Sequence, residues 1–403
     1  MLFSFLIAFN AKSQVQKIYL HPKAAGSEKQ SRFIDSIRFI PLEVKDGIDL
    51  STYNNTIVTK DHFLIIDFGD KEILLYAKTG KFIKKISFKK LGAGFYPDYR
   101  EHINQVVFFG NNRNYSLTSK DEIQIALNWD NPRNKKYFKK YRLDLNNPAL
   151  VIEKDMPDEN DVVKANHYFD DYYWQGQIIT SSLYKDSLDY ELKIYRDKQL
   201  VKGFFPYNRI NEPRFLYTEE NVNLNKTGTP YLYFVSRPFC DTIYKIEKEN
   251  LFPVYELVLP IENSLSASFA KRPFKNETDW ENFQRNNGWV FRQVFNFHET
   301  ESFLYFSVRY MTSHDIYVYL KQSQTTYKTK NIKPDSTQYN LNLLNDYWME
   351  RKGNYFYKPV KAGDLVAFFE QHKTVPVPAT LETFLKSKPH KDAPVIVEFT
   401  FKN

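Results

Sequence analysis

The chain has 403 residues, with 56 Lys and Arg against 48 Asp and Glu, a formal charge of +8. Its composition is 42% hydrophobic, 26% charged and 17% aromatic, which suffices for a sizeable core and excludes wholesale disorder. Thirteen glycines without a G-x-y period exclude a collagen-like chain, and 34 Phe with 29 Tyr favour the half-buried surface of strands. The lone cysteine, Cys240, excludes an internal disulfide or a cysteine-rich zinc site and reads as a small buried hydrophobe.

The N-terminus is a short, uniformly apolar run ending near Ala11 and Ser13. It reads as a signal peptide over residues 1–13, or otherwise as a buried strand. It is too short to span a bilayer, and no cysteine follows it to carry a lipid anchor. The expectation is export to the periplasm or cell surface.

Beyond it, alternation dominates. In residues 302–310, Leu304, Phe306, Val308 and Tyr310 share one strand face, and Phe303, Tyr305, Ser307 and Arg309 the other. Polar turn clusters separate such runs, predicting a chain of hairpins. One signature recurs: an acidic or polar residue opening a short Ile- and Tyr-rich strand. It starts at Glu72, Glu122, Glu191, Asp241 and Asp315, with a sixth candidate around Val397. The strands lie 50 to 81 residues apart, at or above the roughly 40–50 residues of a propeller repeat. Tight turns at 77–80, 196–199 and 247–251 lead into partner strands and predict the outer hairpin of each repeat. Helices are expected at 276–287, capped by Thr278; at 364–373, capped by Asp364; and at 379–386, capped by Thr380.

The segment Phe39-Ile40-Pro41-Leu42-Glu43 resembles the opening of the six-bladed β-propeller proteins of Bacteroidota. Thr79-Gly80-Lys81-Phe82-Ile83 resembles their glycine hairpin, shared with NHL-type repeats. Leu91-Gly92-Ala93-Gly94-Phe95-Tyr96 is similar to their glycine-rich loop, without its third Gly and its Glu. Asp241-Thr242-Ile243-Tyr244 and Ala393-Pro394-Val395-Ile396-Val397 resemble a recurring strand and the closing strand. The resemblance implies fold and export and carries over no catalytic residue. The expected architecture is all-β: a six-bladed propeller of four-stranded antiparallel blades over residues 31–403, with short helical insertions in the last two.

The chain lacks a phosphate-binding glycine loop, a nucleophile elbow and an H-E-x-x-H helix. Its densest polar-aromatic cluster, residues 167–174, supplies the candidate binding residues His167, Asp170, Asp171, Tyr173 and Trp174. They read either as a loop gripping a sugar or peptide or as an ordinary strand. Residues 298–301 (His-Glu-Thr-Glu) read as a solvated hairpin tip or a fragment of a metal site. The basic-aromatic runs 133–142 and 81–90 read as solvated strand faces rather than a nucleic-acid grip. Three functions remain in view. The leading one is a monomeric, non-enzymatic binding or scaffold module for a glycan, peptide or partner protein, with no cofactor, no metal and no nucleic acid. The second is a propeller enzyme, a metal-assisted hydrolase or polysaccharide lyase, drawing on His62, His102, His167 and His298 from different blades. The third is an outer-membrane barrel, disfavoured by the lysines that interrupt its strands.

Overall fold

The computed structural model describes residues 15–44, 55–92, 94–117, 125, 131–157, 167–169, 172–175, 188–196, 199–208, 222–227, 229, 232–266, 269, 274, 276–345 and 350–402. The proposed signal peptide therefore lies outside the described residues.

Three strands come first: β1 (Gln16–Tyr19), β2 (Gly26–Lys29) and β3 (Ile34–Pro41). Six sheets follow in chain order. Sheet I holds β4 (Asn55–Val58), β5 (His62–Asp67), β6 (Glu72–Ala77) and β7 (Phe82–Ser87). Sheet II holds β8 (Tyr96–Arg100), β9 (Gln105–Asn111), β10 (Phe138–Asp144) and β11 (Ile152–Asp155). Sheet III holds β12 (His167–Phe169), β13 (Tyr172–Gln175), β14 (Leu188–Arg196) and β15 (Gln199–Asn208). Sheet IV holds β16 (Asn223–Lys226), β17 (Leu232–Ser236), β18 (Thr242–Glu247) and β19 (Asn250–Val258). Sheet V holds β20 (Phe291–Glu299), β21 (Phe303–Tyr310), β22 (His314–Leu320) and β23 (Thr325–Lys333). Sheet VI holds β24 (Glu350–Lys352), β25 (Tyr355–Lys361) and β26 (Pro394–Phe401).

Within each sheet the strands run in sequence order as an antiparallel meander. Strand alternation explains how the sheets stack. On β21, Leu304, Phe306, Val308 and Tyr310 pack toward sheet IV, while Phe303 and Tyr305 pack toward sheet VI. β6 does the same: Ile73 and Leu75 face sheet II, and Leu74 and Tyr76 face sheet VI. Five seams of this kind join I–II, III–IV, IV–V, V–VI and VI–I. Sheets I, IV, V and VI are apolar on both faces and covered on both sides by stacking around an axis, the arrangement of a β-propeller.

The first three strands add the outer edges. β1 pairs parallel with β19 and β2 parallel with β23, giving sheets IV and V a fifth strand each. That departs from the expected four-stranded antiparallel plan. β3 pairs antiparallel with β26, opposing Pro41, Ile40 and Phe39 to Val395, Ile396 and Val397. The opening and closing motifs are thus neighbours in one sheet. The segment that carries these three strands, residues 16–41, forms a strap pinned by the buried Gln30, whose Nε2 donates to Gln338 Oε1 and Leu341 O (both 2.8 Å) and whose Oε1 accepts from Leu343 N (2.9 Å).

The recurring signature marks the third strand of its sheet in β6, β14, β18, β22 and β26. In sheet II it does not. Glu122 lies outside the described residues, and the third strand is β10, carved from the basic-aromatic run. There Phe138 stacks on Phe109 (5.0 Å) and the buried Lys140 pairs with Asp155 at 3.5 Å. The run's alternation is that of a packed strand.

The anticipated turns join β6 to β7, β14 to β15 and β18 to β19. The first shows why glycine stands at position 80. Its φ is +85°, and a Cβ there would meet the Pro41 carbonyl at 2.0 Å. Gly80 O accepts from Glu43 N (2.9 Å), so the hairpin and opening motifs touch.

Helices α1 (Glu277–Asn286), α2 (Ala362–Gln371) and α3 (Ala379–Lys386) sit where expected, with different caps. Asn276, not Thr278, caps α1, accepting from Asp279 N at 2.9 Å. Asp364 falls in the first turn of α2, after Lys361 at the N-cap, and Pro378 rather than Thr380 precedes α3. α1 lies between sheets IV and V over an aromatic nest around Trp280, and α2 and α3 interrupt sheet VI. Cys240 is free and half-buried rather than buried.

Candidate functional site

The axis is located by charge. Glu101 follows β8 of sheet II, Lys226 ends β16 of sheet IV and Lys352 ends β24 of sheet VI. These sheets are not neighbours, yet one Glu101 oxygen accepts from Lys226 Nζ and the other from Lys352 Nζ. Groups from alternate sheets can meet this way only at the centre, so the first strand of each sheet is axial. Burial alone would raise the Glu101 carboxyl, but the two ammonium groups outweigh it and hold it at about 2. Beside them, burial pushes the Glu350 carboxyl up to about 7, with Lys226 opposing and Glu101 adding to the shift.

Two clefts open next to this cluster, and both are shaped by the β24–β25 hairpin. Its turn residue Gly353 has φ +59°. Strand alternation along β25 then sends Phe356 into the V–VI seam and Tyr357 into the VI–I seam. Tyr355, 48% exposed, stands at the rim and borders both clefts.

The larger cleft, about 780 Å³, runs across sheets IV, V and VI. Its anionic hub is Glu299, which accepts from Lys245 Nζ at 2.9 Å, from Lys321 Nζ at 2.8 Å and from the Tyr255 hydroxyl. Burial works against ionisation, and these donors overcome it and hold the carboxyl low. Arg351 lies on the opposite wall. Its guanidinium sits 5.2 Å from the Phe356 ring centre, and Nε donates to Gly353 O at 2.7 Å. Nη1 is buried without a hydrogen-bond partner. Burial draws the Arg351 pKa down, against the pull of Glu299.

The smaller cleft, about 530 Å³, lies between sheets VI and I. Lys78 reaches into it between two rings, its Nζ 4.4 Å from the Phe63 centre and 4.9 Å from that of Tyr357. The ammonium has no hydrogen-bond partner, and burial lowers its pKa to about 8. Arg38 in the same cleft is paired with Glu398 at 2.8 Å.

The sequence-predicted residues lie elsewhere. His167 is on β12, at the axial edge of sheet III, paired in register with Trp174 on β13; Tyr173 is also on β13. Asp170 and Asp171 lie outside the described residues. The hairpin at 298–301 is not a freely solvated tip. His298 is buried against Phe356 (ring centres 5.3 Å apart), and Glu299 is the cleft hub. Burial drops the His298 pKa to about 3 and that of His102 to about 4, so both rings are neutral at pH 7. His62, His102, His167 and His298 do come from four different sheets. Among the described residues, no group of three or more His, Cys, Asp or Glu is placed to hold a metal. Sequence reasoning missed Lys78, Arg351 and Tyr355. The Gly353-Asn354 turn before Tyr355-Phe356-Tyr357 was the available signal, a hairpin mark flanked by strand residues.

Among the described residues no helix is long and apolar enough to cross a membrane. The chain is similar in structure to a "Putative exported protein" from Bacteroides fragilis NCTC 9343, at 14% identity over 97% of this chain and 100% of that one, with a TM-score of 0.56. A member of the DUF4221 family from Bacteroides vulgatus ATCC 8482 is 10% identical over 93% of this chain and 99% of that one, with a TM-score of 0.43. No curated protein matches the chain. The family model described as "Domain of unknown function (DUF4934)" matches residues 18–400, nearly the whole propeller, and the chain belongs to that family.

Proposed function

We propose that the chain is an exported, non-enzymatic binding or scaffold module, a propeller whose six sheets close as six blades. Its ligand is a glycan, peptide or partner protein held at the face where the two clefts meet. One observation carries this reading: a half-exposed aromatic ring, Tyr355, stands between two open clefts, each containing a half-buried cation with one buried nitrogen that makes no hydrogen bond. Such groups are stabilised when a ligand completes them. The structural neighbour described as a "Putative exported protein" supports export, and the location proposed here is the periplasm or the cell surface. His167, Asp170, Asp171, Tyr173 and Trp174 remain a second set of candidate binding residues. The test is a binding screen of the purified chain against glycan and peptide arrays, repeated with Tyr355→Ala. Loss of the signal in that variant supports the reading. An unchanged signal moves the site off this face.

One observation favours a propeller enzyme, hydrolase or lyase, as the second reading. Glu350, with its carboxyl raised to about 7 beside the axis, has the protonation of a general acid near neutral pH. Turnover of a polysaccharide that disappears in Glu350→Gln while folding is retained would establish it.

A further inference from the structure

The two clefts share one chemistry. Of their cations, Lys245 and Lys321 are neutralised by Glu299, and Arg38 by Glu398. Lys60, in the smaller cleft, is exposed to solvent, which leaves Arg351 and Lys78, each resting on an aromatic ring of β25 and each with buried N–H groups that donate to nothing. Because Phe356 and Tyr357 project from opposite faces of one strand, these cations flank Tyr355 on either side. An exposed tyrosine ring takes the flat face of a sugar, and flanking cations take negative groups along the same chain.

We infer that this face binds an acidic glycan, a saccharide chain bearing carboxylates, laid across the Tyr355 ring with one carboxylate on Arg351 and another on Lys78. The inference rests on the binding reading above and names the ligand class for the same site. Carboxylates fit because the guanidinium fork offers Nη1 in its own plane, and a carboxylate accepts in that geometry. A glycan fits better than an acidic peptide because hydroxyls and an amide, Thr227, Thr300, Thr400 and Asn354, share the remaining wall with the carboxylates Asp35 and Glu301, which accept from ring hydroxyls, and with the apolar Leu232 and Phe401. These complement ring hydroxyls, whereas peptides are held by apolar anchor pockets or an added strand.

The test uses the full chain and three probes in titration calorimetry: polygalacturonate oligomers, the same oligomers methyl-esterified, and poly-glutamate. The expected result is binding of polygalacturonate that weakens about tenfold or more on esterification, the loss of one charged hydrogen bond. A similar loss is expected in Tyr355→Ala, and poly-glutamate should compete poorly. Arg351→Lys keeps the charge but not the fork, and it should also weaken binding while its melting temperature shows that it folds. Equal binding of the esterified oligomers, or preferential binding of poly-glutamate, overturns the acidic-glycan assignment while leaving a binding module, provided Tyr355→Ala abolishes it. Polygalacturonate binding that Tyr355→Ala leaves unchanged also overturns it. If neither these probes nor the array screen yields a ligand for the folded chain, both the inference and the binding reading fail.

Discussion

The two halves of the ring are finished differently. Sheets IV, V and VI each take their outer strand from residues 16–41, the fifth strand in IV and V and the fourth in VI, so their edges are paired with chain from the far end of the sequence. Sheets I, II and III end on β7, β11 and β15, which carry the exposed Lys85, Lys154 and Lys202. Charge on an open edge discourages pairing with another chain. One half is therefore closed by covalent continuity and the other guarded by side chains. The larger cleft belongs to the closed half, its walls being sheets IV, V and VI. Fixing those sheets to one another from outside holds Glu299, Arg351 and Tyr355 in register without a ligand, while the Glu101 cluster ties the same half to sheet II from inside. The strap is thus the device that keeps the clefts in shape.

The contrast can be broken most severely at Phe33, fully buried between the strap and sheets V and VI. Phe33→Ala should lose about 3–5 kcal/mol in chemical denaturation, because it leaves a cavity where the strap is seated. On the guarded half, Leu200→Ala on β15, 47% exposed, should stay within about 0.5 kcal/mol. Similar costs at the two positions would mean that the strap is decoration. Gly80→Ala comes next. A left-handed φ and the Pro41 carbonyl in the path of a new Cβ should cost about 1–3 kcal/mol, read as a lowered melting temperature. Gly94→Ala, also at positive φ but with nothing near its Cβ, should cost less, since only the backbone term applies.

The smallest effects are those of pH, and they sharpen the role of the axis. The Glu101 carboxyl, at about 2, lies below its ordinary 4.5. Its stabilisation is complete above pH 4.5 and fades as pH falls toward 2. The Glu350 carboxyl, at about 7, is shifted the other way. Its contribution is complete below pH 4.5 and is lost as pH rises through 7. Melting temperature should therefore fall between pH 4.5 and 7 more in the native chain than in Glu350→Gln. Glu101→Gln should instead flatten the loss below pH 4.5, by about 1 kcal/mol at most because that carboxylate is partly exposed and screened. Parallel profiles for all three proteins would remove the axial cluster from the account.

What the sequence disclosed follows from the range of each interaction. The faces of 302–310 were legible because alternation is local, and both faces proved buried because a propeller sheet has two neighbours. The signature failed in sheet II because β10 begins Phe-Lys-Lys-Tyr, a strand whose apolar positions are mixed with lysines. The first two strands of the strap were invisible. Gln-Lys-Ile-Tyr and Gly-Ser-Glu-Lys are too short and polar to announce strands and become so only by pairing with β19 and β23. The clefts were less legible still. Lys78 and Arg351 gain meaning from rings presented by a third segment, Tyr355 to Tyr357, and no local pattern links the three. The chosen cluster at 167–174 drew notice by density, whereas the clefts are marked by unmet hydrogen bonds, which only packing reveals.

The most direct test is hydrogen–deuterium exchange of the full chain with and without polygalacturonate, comparing residues 350–357 with residues 167–175. The account predicts slowed exchange across the β24–β25 hairpin and the adjoining turn at Lys78, with β12 and β13 unchanged. Protection confined to β12 and β13, or absent from both segments despite binding, would contradict it.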